Sequence, residues 1–422
     1  MNRLKATLQK GRDAADKLKS VGESPAASAS AAISRPADTV EVVLKNNTDS
    51  DTLYAHITGN DSKGLFILGA DGKTPSHPKS PSSTLQPLQE DSGIAITGGR
   101  GSSRTVFVPR IFGARIWFCR DVPLTFFVNP GPALVEPSAT NQADENYKKD
   151  WGFCEFTYND AEIYVNVSYV DFVSLPVGLQ LENEAGHVRR VDGMPADGLE
   201  RVAKGLEEQG KKEDGVGWEK LVVRDGSHVR RVLSPNAAMV LFPGIFETYF
   251  QGYVDAVWDR YRKEDLVVNT QFGDWGEYVG GVGDDGKLTF KGKGETIKFD
   301  KPAARDIFSC STGPFAGGPD VSPQKLNIGA RLSAALNRST LLENSRQPEG
   351  EDVGRYYCCH GYSEKRTVTN HYARVCHEAT VESRGYAFPY DDVGSSKGDD
   401  QSGFLSDPKP KRLTVAVGGG SF

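Results

Sequence analysis

Residues 151–180, WGFCEFTYNDAEIYVNVSYVDFVSLPVGLQ, decide the architecture. Asn159-Asp160 is a turn pair between two runs of strand-forming residues, so the stretch reads as an antiparallel hairpin. Side chains alternate across a strand. In the first run Cys154, Phe156 and Tyr158 share one face, with Glu155, Thr157 and Asn159 on the other. In the second, Ile163, Val165 and Val167 oppose Tyr164, Asn166 and Ser168. One face of the ribbon is therefore apolar and belongs against a core. The other carries hydroxyls, amides, a carboxylate and an aromatic ring. Such a face suits a sugar, whose hydroxyls need donors and acceptors and whose C–H surface needs a ring to lie on.

The alternation then breaks. Counted onward, Asp171 falls on the apolar face. Either a bulge turns it toward the polar face, or it is buried and paired. Bulges gather beside active sites, which makes Glu155 and Asp171 a candidate acid–base pair. The competing reading is an exposed glutamate and an aspartate capping a turn.

Upstream, TVEVVLKN from Thr39, TLYAHITG, LFILG, TVFVPRIFGARIWFCRD and PLTFFVNPG continue the pattern of short strands between Asn, Asp and Gly breaks. Residues 20–38 are rich in Ser, Ala and Pro and read as a linker, and 75–92 as a long loop. Downstream of Gly178 helical spacing appears. Leu199, Val202, Ala203 and Leu206 mark a helix within 196–213; a wide apolar stripe from Ile245 to Tyr261 marks a second. Ile328, Leu332, Ala335 and Leu336 mark a third, and NHYARVCHEA (370–379) a fourth. Strands such as LTFKGKG and the closing LTVAVGG (413–419) are interspersed, and the last is expected to return to the first sheet. The fold class is mainly β with an α+β insertion. The expected units are a flexible extension at 1–38, a β-sandwich or barrel with the hairpin at 39–180, a mixed α/β domain at 181–380, and a return to the β unit at 381–422.

Composition bounds the function. Fifty Lys and Arg against 56 Asp and Glu give a net charge of −6, so no global basic field draws the chain to nucleic acid. Glycine, at 46 of 422 residues, stands at about 11% against a usual level of about 7%, the balance of a turn-rich β protein. No apolar run is long enough for a membrane-spanning helix. The first 20 residues lack the continuous apolar core of a secretory signal, and Asp13 and Asp16 argue against a mitochondrial presequence. Six cysteines are too few for a disulfide-stapled scaffold, and their pairing stays open. Cys358, Cys359, His360, His371, Cys376 and His377 invite a zinc reading, but adjacent cysteines and the gap from Cys359 to His371 fit no zinc-finger spacing. No metal and no cofactor are expected. Cys154 lies beside Glu155 but on the apolar face, which excludes it as a nucleophile. VGGVGDDG (279–286) lacks the Lys-Ser/Thr of a phosphate loop and reads as a hairpin turn.

Five blocks in order, FCEFTYND, IYVNVSYVDFVSLPVGL, LNIGARLSAALNRSTLL, NHYARVCHEA and GYAFPYDDV, resemble the β-1,3-glucanases of glycoside hydrolase family 64, laminaripentaose-producing enzymes related to the thaumatin-like proteins. The resemblance runs from about Thr39 to Gly419. It implies a thaumatin-like β-barrel or sandwich and a mixed α/β domain, separated by a wide groove that takes a glucan. It also implies hydrolysis with inversion, by a Glu and an Asp sixteen positions apart that fall on Glu155 and Asp171. Glu155 is then the general acid and Asp171 the general base, with Phe153 and Phe156 keeping water from Glu155. Thr157, Asn159, Tyr164 and Ser168 match positions that hold glucose units; the family often has Trp at Tyr164 and Thr at Ser168. Asp391 and Asp392 match an acidic pair near the groove, either as sugar contacts or as a carboxylate turn that caps a helix or orders an arginine, and Arg115 matches a further block, either as substrate contact or paired to a buried carboxylate. The partner implied is a β-1,3-glucan such as laminarin or curdlan, with the protein a monomer. The alternative is a thaumatin-like protein that binds β-glucan without cleaving it. The family points outside the cell or to the wall, whereas the first residues do not. N-x-S/T sequons stand at Asn46, Asn60, Asn166 and Asn337, and a glycan at Asn166 would obstruct the site.

Overall fold

Strand Thr39–Asn46 alternates buried and half-buried residues, and its neighbours are set by that alternation. It pairs antiparallel with Ser103–Pro109 and parallel with the closing strand Pro410–Val417, which itself pairs antiparallel with Val177–Asn183. With Val188–Val191 these make a five-stranded sheet. The last strand thus returns to the first, as the sequence reading expects. The computed structural model describes residues 36, 38–358, 368–398, 400–420 and 422. The linker expectation for 1–38 lies almost wholly outside the described residues.

An eight-stranded sheet is built around Thr52–Asp61, Ile111–Arg120, Trp151–Tyr158 and Ile163–Asn166, with Phe404–Asp407 at one edge. Val40, Val42 and Leu44 from the five-stranded sheet and Ile57, Ile116, Cys154, Phe156 and Val165 from the eight-stranded one belong to one continuous apolar core. The core does not stop at the sheets. It runs on through Leu206, Trp218, Phe250, Trp258, Ile328 and Tyr372.

The helices fall at Gly198–Lys212, Pro235–Leu241, Gln251–Arg260, Ala304–Ser309, Pro323–Arg338 and His371–Ala379. Ser322 and Asn370 cap two of them, each side chain accepting from a backbone N–H in the first turn. The helix expected over the stripe from Ile245 is shorter than its apolar pattern. Phe246 stands at φ 62°, a left-handed conformation a helix cannot contain, and residues 243–250 form turns before Gln251. The aromatic stripe is buried all the same. Glu277–Val282 and Leu288–Lys291 pair across the turn at Gly283–Gly286, so VGGVGDDG is a hairpin.

Between Asn166 and Val177 the chain leaves the eight-stranded sheet for the five-stranded one. This crossover is held at close intervals. Tyr169 N–H donates to Tyr386 O at 2.6 Å, Tyr372 Oη donates to Tyr169 O at 2.6 Å, and Phe172–Val173 pairs with His228–Leu233. Ser174 Oγ donates to Trp151 O at 2.6 Å, an approach that requires Gly152, since a Cβ there would lie 2.7 Å from that oxygen. Arg231, which is buried, spreads its guanidinium over Tyr147, Trp151 and Phe172 and donates to the carbonyls of Tyr147 and Lys149. It ties the crossover to the hairpin.

Leu413 of the closing strand is fully buried opposite Val42 and Leu181. Leu413→Ala should cost about 2–5 kcal/mol of stability, read as a lower urea midpoint by far-UV circular dichroism.

Candidate active site

The hairpin alternates as its sequence requires. Cys154, Phe156, Tyr158, Ile163 and Val165 are buried, while Glu155, Thr157 and Tyr164 reach the other surface. Strand register then sets a polar row. Arg115 and Asn166 lie directly opposite Glu155 on its two neighbouring strands, and Thr58 lies beyond Arg115.

Arg115 organises the charges. Its Nε and Nη2 donate to Glu155 Oε1 at 3.2 and 3.1 Å, and its Nη1 donates to Glu136 Oε2 at 2.5 Å. The guanidinium lies over the rings of Phe153 and Trp117, at 4.6 and 5.2 Å. Burial of the guanidinium opposes its charge, but Glu155, then Glu136 and Asp171, outweigh it and hold Arg115 above its ordinary value. The carboxylates it pairs with are open to solvent rather than buried: about 39% of the Glu155 side chain is exposed. A substrate can reach it.

Asp171 is exposed on the crossover. Neither route foreseen from the alternation applies. The strand ends at Asn166, the chain bends at Val170 and Asp171, and the carboxylate emerges because the chain is passing between sheets. Its carbonyl accepts from Ser234 N–H at 3.0 Å, and its side chain is near enough to raise the proton affinity of Arg115 and of Glu136. Phe153 shares the face of Glu155. Phe156 is 2% exposed and faces the core, so it cannot keep water from Glu155.

Tyr164 stacks on Phe404, centroids 5.3 Å apart and planes 19° off parallel, and its hydroxyl meets Tyr386 Oη at 2.9 Å. Thr157 lies opposite Tyr164, its Oγ1 accepting from Gly113 N–H at 3.3 Å. Asn159 uses its side-chain carbonyl on the turn, accepting from Ala161 and Glu162 N–H. Ser168 forms an isolated bridge with Tyr386 and, with Phe153 and Phe172, lines a small depression beside the crossover.

Asp391 is placed elsewhere. Its side chain is fully enclosed, Oδ1 against Arg338 Nη2 at 3.1 Å and Oδ2 against His377 Nε2 at 2.8 Å and Ala387 N–H at 2.9 Å. It offers no surface to a sugar, so direct contact is corrected for Asp391, and the other reading, a carboxylate that orders an arginine, is the one its geometry has. Asp392 is half-buried near the Tyr164–Tyr386 pair, and its enclosed Oδ1 has no hydrogen-bond partner among the described residues. Burial, reinforced by Asp400 and Asp391, pushes its carboxyl up to about 7.

His371 and His377 are engaged with Glu213 and Asp391 respectively, while Cys359 and His360 lie outside the described residues. Of the sequons, Asn46, Asn166 and Asn337 are buried; Asn60 is half-exposed. Glu136, Tyr386 and Phe404 went unnoticed as site residues in the sequence. Tyr386 stands within one of the five blocks, whereas Glu136 and Phe404 carry no local signal: strand pairing sets Phe404 opposite Asn166, and Arg115 reaches out to Glu136.

The chain belongs to the β-1,3-glucanase family, glycoside hydrolase family 64, whose model matches residues 38–417. Two glucan endo-1,3-β-glucosidases, from Cellulosimicrobium cellulans and Arthrobacter sp. (strain YCWD3), are each 29% identical over 339 residues, covering 76% of this chain. The alignment covers 56% of each of those relatives, so the chain spans about half their length. A laminaripentaose-producing β-1,3-glucanase crystallised with laminaritetraose superposes with a TM-score of 0.77 at 26% identity, over 90% of this chain and 98% of that one. A β-1,3-glucanase domain from Clostridium beijerinckii, at 21% identity and TM-score 0.68, covers 92% of this chain and 100% of its own, and shares the fold.

Two stability outcomes follow from the acidic pair. Asp391→Ala leaves Arg338 and His377 without their carboxylate and should lower stability by about 3–5 kcal/mol in chemical denaturation. For Asp392 the folded protein holds the proton to about pH 7 and the unfolded chain only to about 3.8. Between those values the native state binds more protons, so stability falls as pH rises. Asp392→Asn should flatten that dependence, with urea midpoints at about pH 5 and about pH 7 closer together than in the wild type.

Proposed function

We propose that this protein hydrolyses β-1,3-glucan by a single displacement with inversion, Glu155 acting as general acid and Asp171 as general base. The observation that carries the reading is an accessible Glu155 on the polar face of the hairpin, gripped by an arginine whose charge Asp171 also reaches. Family membership and the likeness to a glucanase crystallised with laminaritetraose supply the substrate class.

In this reading a glucan chain lies along the polar row, with one sugar on the Tyr164–Phe404 stack and the hydroxyls of successive units toward Thr157, Asn159 and Ser168. Glu155 protonates the glycosidic oxygen as the C1–O bond breaks. Asp171 takes a proton from the water that attacks C1 from the other side. Inverting hydrolases keep the two carboxyl groups about 6.5–9.5 Å apart so that this water fits. Arg115 stabilises the Glu155 carboxylate left when the proton departs, a charge-assisted interaction that strengthens as the reaction proceeds. Asp171 then returns its proton to solvent and Glu155 regains one.

The same reading extends to architecture. A thaumatin-like β unit and a mixed α/β region flank a wide groove, and the protein works as a monomer.

The test is reducing-sugar release from laminarin or curdlan. Glu155→Gln and Asp171→Asn should each lower the rate by about 10²–10⁴-fold with unchanged circular dichroism. The first product seen by NMR should be the α-anomer. A β-anomer would overturn inversion, and glucan binding without any release would leave a binding protein.

A further inference from the structure

Arg115 is shared between two carboxylates, and the division is uneven. Two of its nitrogens reach a single oxygen of Glu155 at 3.1 and 3.2 Å, whereas Glu136 holds Nη1 at the closer 2.5 Å. Among the described residues Glu155 Oε2 accepts no hydrogen bond from the protein, which leaves that oxygen to carry a proton. Glu136 stands exposed just past strand Ala133–Val135 and meets the site through Arg115.

We propose that Glu136 is a positioning residue for the acid: by taking one arm of Arg115, it keeps the guanidinium beside Glu155 without letting its whole charge fall there. With that hold on one arm removed, the guanidinium would be free to close fully on Glu155, and the pH range of activity would move. The inference rests on the reading of Glu155 as general acid.

The groups facing Glu155 bear this out by sign. Arg115, from the strand on one side, favours the carboxylate. Glu136 and, from the crossover, Asp171 carry the opposite sign, whereas the Tyr164 hydroxyl on the other side, held above its ordinary value by burial, stays uncharged. Glu136 responds in kind: burial lifts its carboxyl above the usual range, Arg115 pulls it down, and Glu155 and Asp171 lift it further. Solvent attenuates these interactions, since 40% of the Glu136 side chain is exposed, so the effect is a shift in working pH rather than loss of the site.

The experiment compares wild type, Glu136→Gln and Glu136→Asp, with Glu136→Ala as a second neutral variant. Laminarin hydrolysis is followed from about pH 4 to about pH 9, and the isotope-labelled Glu155 carboxyl is titrated by NMR without substrate. The neutral variants should move both the alkaline limb of the rate profile and the Glu155 titration down by about half a pH unit or more. Glu136→Asp should bring both back toward the wild-type position, even at a lower maximal rate. An unmoved Glu155 titration in the neutral variants overturns the proposal, whatever happens to the rate. A titration that moves while Glu155→Gln stays active supports the coupling and removes Glu155 from the acid role, so the two ideas fail separately.

Discussion

The parallel pairing of Thr39–Asn46 with Pro410–Val417 is the constraint on which the remaining structure rests. The closing strand lies between the first strand and Val177–Asn183, so the five-stranded sheet exists only when both ends of the folded chain and its middle meet. That sheet fixes where the crossover lands after leaving the hairpin at Asn166. The crossover carries Asp171, and the hairpin carries Glu155. The relation between these carboxylates is thus a property of how two sheets are joined, with Arg231, Tyr372 and Gly152 holding the join tight.

Aspartates and glutamates of this chain meet arginine in two quite different settings. Arg338 is enclosed with Asp391 and near Glu351, with Tyr356 and Phe388 against its guanidinium; burial alone would weaken its charge, but its acidic neighbours reverse the balance. Such a pair is costly to break because the survivor stays desolvated. Arg115 is only partly buried, and its carboxylates are open to solvent. There the same attraction is softened by water and can be shared, released and remade, as proton transfer demands.

The sequence makes local periodicity legible and long-range meeting illegible. The hairpin faces could be read residue by residue because alternation is a property of the strand itself, and the helices at Gly198–Lys212, Pro323–Arg338 and His371–Ala379 follow from the helical spacing of their apolar residues. Asp171 could be singled out as an anomaly but not explained, since the count assumed a strand that ends five residues earlier. Phe246 broke a helix whose apolar stripe gave no warning, because the backbone turns while the side chains still find the core. The resemblance marked Asp391 and Asp392 together without separating an enclosed carboxylate from a half-buried one. Glu136 and Phe404 come from remote segments, the first met through the Arg115 ion pair and the second through strand register.

The cysteines give the architecture a further meaning. Cys119, Cys154, Cys310 and Cys376 are buried and unbridged, and burial pushes the thiols of Cys119 and Cys154 up to about 12. They serve as small apolar fillers, far from the thiolate form that exchange chemistry requires. These four positions contribute no cross-link that reduction could open. The cohesion they lend is indifferent to redox poise, so oxidising and reducing surroundings would leave this part of the core equally intact.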